Sequence, residues 1–213
     1  MKRGLYGLLP TVLVVVFATV LYAQNDEADL IAVLRSDAPK SEKAITCKKL
    51  AVHGSEDAVA VLAELLPDPE LTSWARTALE VIPGPEADEA LRNAAGVTDG
   101  RTRVGILHSV GVRRDVQAVG LLEKFLKSED AATVDAAAVA LGRIGTSEAA
   151  TALEKALTAA TKECRAAMAP GCVIAAESLR NAGRMEEAIS LYDAVRSADV
   201  PAIRKIEAIR GAI

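Results

Sequence analysis

A glycine-led phrase that returns along the chain limits the possible folds more than any other feature. It is clearest from Gly145, which is followed by Thr146, Ser147 and Glu148 and then by alanines running into Leu153 and Leu157. Related copies start at Gly54, Gly84, Gly111 and Gly183, so successive glycines lie 30, 27, 34 and 38 residues apart. Self-similarity at this period belongs to stacked arrays, in which each unit buries its apolar face only against its neighbours. No stretch after residue 30 alternates with a period of two, so the units are expected to be helical. Apolar residues make up 51% of the chain but aromatics only 3%. The core must therefore be built from Ala, Leu, Val and Ile, and the small side chains among them let helices approach closely.

The best-defined unit runs from Asp115 to Gly145. Its first helix is predicted over Val116 to Lys127, with Leu121, Leu122, Phe125 and Leu126 on one face. Ser128, Glu129 and Asp130 supply a turn and a capping side chain. A second helix from Ala131 to Ile144 carries Val134, Ala137, Ala138, Leu141 and Ile144 as its buried stripe, and Gly145 ends it in a left-handed conformation. Five units follow this plan, 28–54, 55–84, 85–111, 112–145 (which holds the copy just described) and 146–183. In the first, Ala44, Ile45, Cys47, Leu50 and Ala51 should face inward. In the second, Pro67 to Pro69 form the turn, while Trp74, Ala78, Leu79 and Ile82 line the core. In the third, Gly96 to Gly100 make the turn, Val104, Leu107 and Val110 point inward, and Gly111 stops the helix. In the fifth, Pro170 and Gly171 should kink or split the second helix.

The run Leu121-Leu122, Phe125-Leu126, Ser128-Glu129-Asp130, then Ala136 to Leu141, Gly142, Arg143, Ile144 and Gly145, resembles a short HEAT repeat of the PBS-lyase-like kind. The resemblance implies an all-α, right-handed α-α superhelix, a HEAT/armadillo-like solenoid of antiparallel helix pairs whose second helices line a concave side. It implies a protein or peptide partner. Asp135 stands where the family usually has arginine, and Arg101 holds the corresponding place one unit earlier. The last segment, Arg184 to Ile213, is similar to a tetratricopeptide-like hairpin. As a whole the chain resembles the start of the large exported HEAT-repeat proteins of planctomycete-like bacteria. Those often continue into further repeats, haem-binding modules or sugar-active modules, none of which has a counterpart here.

The first 23 residues follow other rules. Lys2 and Arg3 precede an apolar run from Leu8 to Tyr22, then Ala23 and a polar chain. That is the layout of a secretory signal peptide cut after Ala23. Residues 5–23 are also just long enough for an uncleaved anchor in an inner membrane. Residues 24–213 then form the repeat domain, with about five repeats plus the terminal hairpin, in a periplasmic or extracellular setting. Without Lys2 and Arg3 the chain keeps 23 basic and 29 acidic side chains, a net charge of −6. Nonspecific nucleic-acid binding needs a basic stripe, so nucleic acid is not expected as a partner. Membrane contact is expected only if the N-terminal segment stays uncleaved. Cys164 and Cys172 lie about 12 Å apart along a continuous helix, too far to bridge unless Pro170 and Gly171 bend the chain. All three cysteines, Cys47 included, read as small buried hydrophobes.

Catalytic and metal-binding patterns are not legible. His53 and His108 sit near ends of second helices and lack a third ligand, so no metal is expected. The carboxylates gather in turns and first helical positions, where the helix dipole favours them. No phosphate loop, nucleophile elbow or Cys–His pair stands out. No catalytic residue and no cofactor is assigned. The candidate binding residues are Arg76, Arg101 and Arg103 on second helices, with Arg113 and Arg114 in an inter-repeat turn. Planar guanidinium groups there suit carboxylate or phosphate partners. Ile203, Ile206, Ile209 and Ile213 stripe the final helix and offer a surface for self-association. The expected function is a non-catalytic exported scaffold. Alternatives are an N-terminal arm of a larger exported protein and, from the lyase-like resemblance alone, a bilin-attaching enzyme.

Overall fold

Asp130 shows how the chain begins a helix. Its carboxylate accepts from the backbone N–H groups of Ala132 and Thr133 at 3.3 and 3.0 Å and from the Thr133 hydroxyl at 2.6 Å. Those donors have no intrahelical partner, and the cap satisfies them. The helix that follows, α8, spans Ala131–Ile144 and ends at Gly145, whose φ of 67° is left-handed. Thr146 and Thr161 cap the next two helices in the same way.

The computed structural model describes residues 26–213. The signal or anchor expected over residues 1–23 lies outside that range. The described chain starts with α1 over 26–35, followed by α2 (Lys40–His53), α3 (Val59–Leu65) and α4 (Thr72–Val81). Next come α5 (Pro85–Val97), α6 (Gly100–Arg113), α7 (Val119–Phe125) and α8. The array closes with α9 (Ser147–Ala159), α10 (Lys162–Asn181), α11 (Met185–Ser197) and α12 (Ala202–Gly211). Single 3-10 turns at Glu56–Ala58 and Val116–Ala118 lead into α3 and α7. Among the described residues there is no strand.

The helices pack as successive pairs, and the chain is an all-α solenoid. The even-numbered helices form one layer, α2 on α4, α4 on α6, α6 on α8 and α8 on α10, while the odd-numbered helices stack behind them. One continuous apolar core runs between the layers, from Leu34 and Leu50 through Leu79, Leu107 and Leu141 to Leu179 and Tyr192. Each helix thus buries its face on its own partner and on the pairs beside it, as a solenoid requires.

Packing is tightest along α6, α8 and α10. Nine of the fourteen residues of α8 are buried, among them Ala136, Ala137, Ala138, Ala140 and Gly142. A Cβ on Gly171 would stand 2.2 Å from the carbonyl carbon of Ala138, and one on Gly142 would stand 2.5 Å from the Gly171 carbonyl oxygen. The two helices meet backbone to backbone there, which only glycine allows.

Several expectations need correction. Pro170 does not split its helix: α10 is one helix of 20 residues. An interior proline costs about 3 kcal/mol, and burial of Met168, Ala169, Cys172, Val173, Ala176 and Leu179 along α10 outweighs it. Gly111 is not a stop. It lies inside α6, where a Cβ would come within 2.8 Å of the Ala140 Cα, and the left-handed cap is Arg114 at φ 54°. Gly96 belongs to α5, so the turn shrinks to Thr98 and Asp99. Ile45, expected inside, is 57% exposed, because Cys47 and Leu50 supply the inward face of α2. Cys164 and Cys172 share the unbroken α10, and all three cysteines are free.

Candidate interaction surface

The side of the even-numbered helices that faces away from the core carries an exposed tryptophan and two clefts. On α4 the inward positions are Ala75, Ala78 and Leu79. Positions 73, 74, 77 and 81 therefore fall on the outward face, a consequence of the 3.6-residue period. Trp74, expected in the core, is 40% exposed there. The neighbouring Val81, and Ile45 and Val52 on the outward face of α2, are exposed as well.

Lys48 from α2 places its ammonium 5.9 Å from the Trp74 ring centroid, within cation–π range. Trp74 divides two open clefts. One, of about 420 Å³, is lined by Ser41, Ala44, Ile45 and Lys48 together with Glu70 and Leu71. The other, of about 400 Å³, is lined by Lys48, Ala51, Ser73, Arg76 and Thr77. At the outer end Lys40 pairs with Asp68 and Glu70, at 2.9 Å each. Those acids hold its ammonium above the usual lysine value, while Lys40 and neighbouring backbone donors hold Asp68 below the usual carboxylate value.

The five arginines singled out from the sequence have different surroundings. Arg113 is turned into the fold: its side chain is 9% exposed. Its guanidinium donates to the carbonyl oxygens of Leu79 and Ile82 at 2.6 Å each and of Gly84 at 2.9 Å, and it pairs with Asp88. It thereby caps the C-terminal end of α4, whose last carbonyls have no partner within their own helix. Arg76 is tied into a network in which Ser109 donates to Glu80 at 2.6 Å and Arg76 reaches both, at 3.2 Å. Arg103 donates to the Ala95 carbonyl at 3.2 Å and lies 5.0 Å from the Phe125 ring centroid. Arg101 and Arg114 are exposed, and neither makes an ion pair among the described residues. A second clasp, Arg92 on Asp115, was not singled out from the sequence at all. Its only sequence signal is an aspartate at a helix entry with an arginine one unit upstream.

His108 is not in the last turn of its helix, because α6 runs on to Arg113. Burial, then the charge of Arg143, hold its imidazole below the usual histidine value. Across from it on α8, burial pushes the Asp135 carboxyl above the usual carboxylate value. Burial also pushes the Cys47 thiol up to about 11 and the Cys172 thiol up to about 12. Among the described residues no group of three or more His, Cys, Asp or Glu is placed to hold a metal ion. No described helix is long and apolar enough to cross a membrane.

A solenoid of antiparallel helix pairs with an open second-helix face is the class that this fold and surface define. Residues 98–169, about one third of the chain, match the family model for HEAT repeats. The match covers α6 through α9 and the start of α10, the segment where small residues bring the even-numbered helices closest. No curated protein matches the chain. HEAT repeats generally mediate protein–protein interaction, which accords with a protein partner.

Proposed function

We propose that this protein is a non-catalytic interaction scaffold, exported from the cell, that binds a protein or peptide along its even-numbered helices. The observation that carries this reading is Trp74, exposed on the outward face of α4 between two clefts whose linings include Lys48 and Ile45. Partly exposed tryptophans among apolar neighbours are the side chains on which binding energy concentrates. Arg101 extends the surface onto α6, whereas Arg76, Arg103 and Arg113 serve the fold.

Cross-linking from residue 48 or 77 to envelope proteins, compared between wild type and Trp74→Ala, tests the assignment. A partner captured by wild type and lost in Trp74→Ala, with an unchanged helical circular dichroism spectrum, supports it. Capture that survives Trp74→Ala and Ile45→Ala together would remove this face from the account. Export rests on the N-terminal pattern of Lys2, Arg3 and the apolar run to Tyr22. It is tested by fractionation and by N-terminal sequencing, which finds Gln24 first if the leader is cut. An uncut chain in the membrane fraction would favour the anchor.

A second reading, self-association, is favoured by α12, where Ile203, Ile206 and Ile209 are 54%, 44% and 46% exposed. Sedimentation of wild type against Ile206→Glu decides it. A dimer lost on substitution supports self-association, and a monomer in both excludes it.

A further inference from the structure

A mostly apolar cleft away from the Trp74 face lies where α7, α9 and α10 meet. It measures about 440 Å³, inside the range of about 300–1,000 Å³ common to small-molecule sites. Leu126 from the end of α7, Ala152, Ala156 and Ala159 from one face of α9, and Met168 from α10 form its apolar wall. Lys127 and Lys155 stand at its mouth, both exposed, and neither is engaged in an ion pair among the described residues. Glu123 is the one acid on the lining. Cys164 is half-buried on the α10 side.

We propose that this cleft binds a carboxylate carrying an unbranched apolar chain, of the fatty-acid kind. The apolar wall takes the chain and the two lysines take the carboxylate. An alkyl chain gains about 25 cal/mol for each Å² removed from water. Two cations against one acid favour an anionic head over a cationic or neutral one. The site does not depend on the Trp74 surface, and either assignment stands without the other.

Cys164 makes the test direct. Cys47 and Cys172 are wholly buried, so Cys164 is the one described thiol open to an alkylating reagent. The experiment measures the rate of iodoacetamide labelling on the full chain, with the site identified by peptide mass spectrometry. Decanoate, decanol and decylamine are compared below their aggregation concentrations. Decanoate at about ten times its Kd should slow Cys164 labelling about tenfold, by mass action. Decanol and decylamine should protect far less. Lys127→Gln/Lys155→Gln should lose the decanoate protection, measured as the ratio to that variant's own ligand-free labelling rate. Both lysines are exposed, and melting followed by circular dichroism checks the fold of the variant. Equal protection by decanoate and decanol, or protection that survives the double substitution, overturns the carboxylate assignment. No protection by any of the three overturns the site.

Discussion

The Nη1 of Arg113 lies 2.6 Å from the carbonyl oxygen of Ile82, 31 residues earlier in the chain. The same nitrogen reaches the Leu79 carbonyl at 2.6 Å, so one guanidinium closes the end of α4 from the following unit. Removing it leaves three carbonyls and the Asp88 carboxylate short of a donor in a poorly solvated place. Arg113→Ala is expected to cost about 3–5 kcal/mol, read as a lowered midpoint in urea unfolding. Arg113→Lys keeps the charge and loses the planar fork, so its midpoint should fall between the two.

Gly171 and Gly120 make a matched pair. A methyl group on Gly171 must force α10 away from the Ala138 backbone, whereas Gly120 has nothing within 4 Å. Gly171→Ala should destabilise by at least about 1–3 kcal/mol, the usual cost of overpacking. Gly120→Ala, on exposed helix, should stabilise by about 0.5–1 kcal/mol. Thermal melts of the two variants against wild type check both signs at once.

Trp74 is the chain's single tryptophan, which makes its surroundings directly readable. At 40% exposure its emission should be red-shifted from that of a buried indole and should be quenched by acrylamide. Lys48 over the ring should draw iodide in, so iodide should quench more strongly than caesium, and Lys48→Glu should reverse that order.

Acid should weaken the native state through His108 and not through Asp135. The unfolded chain takes up the His108 proton near the ordinary value of 6.5, while the native chain resists it. Stability is therefore full above about pH 6.5 and falls as the pH drops toward the lowered native value. Asp135 has the opposite sign: its raised native value means protonation relieves a burial penalty. Melting temperature followed from pH 7 to pH 5 should decline less in His108→Gln. Asp135→Asn should melt higher than wild type at pH 7, with the gain shrinking as the pH falls through the native value.

Much of the architecture was legible because helix signals are local. Asp130 before an alanine-rich stripe and Gly145 after it fix both ends of α8 within the sequence itself. Gly111 looked the same in sequence, but its role is set by Ala140 on another helix, which no local pattern carries. Trp74 illustrates the same limit. Its spacing among apolar residues suits either side of α4, and only the packing of α2 against α4 decides that it faces out. The arginines were the least legible. Arg113 and Arg101 are alike as letters, yet one is consumed by carbonyls of the preceding unit and the other is exposed.

The joint between α4 and α6 differs in kind from those on either side of it. From α6 onward the even-numbered helices interlock through glycines and alanines, while α4 and α6 are laced together by Arg76, Ser109, Glu80 and Arg113. Salt screens exposed charges strongly and buried ones little, and this lacing is largely withdrawn from solvent, with Arg113 9% exposed. The unit that carries Trp74 is thus joined to the rest of the array by oriented hydrogen bonds, where the later units rely on close apolar contact.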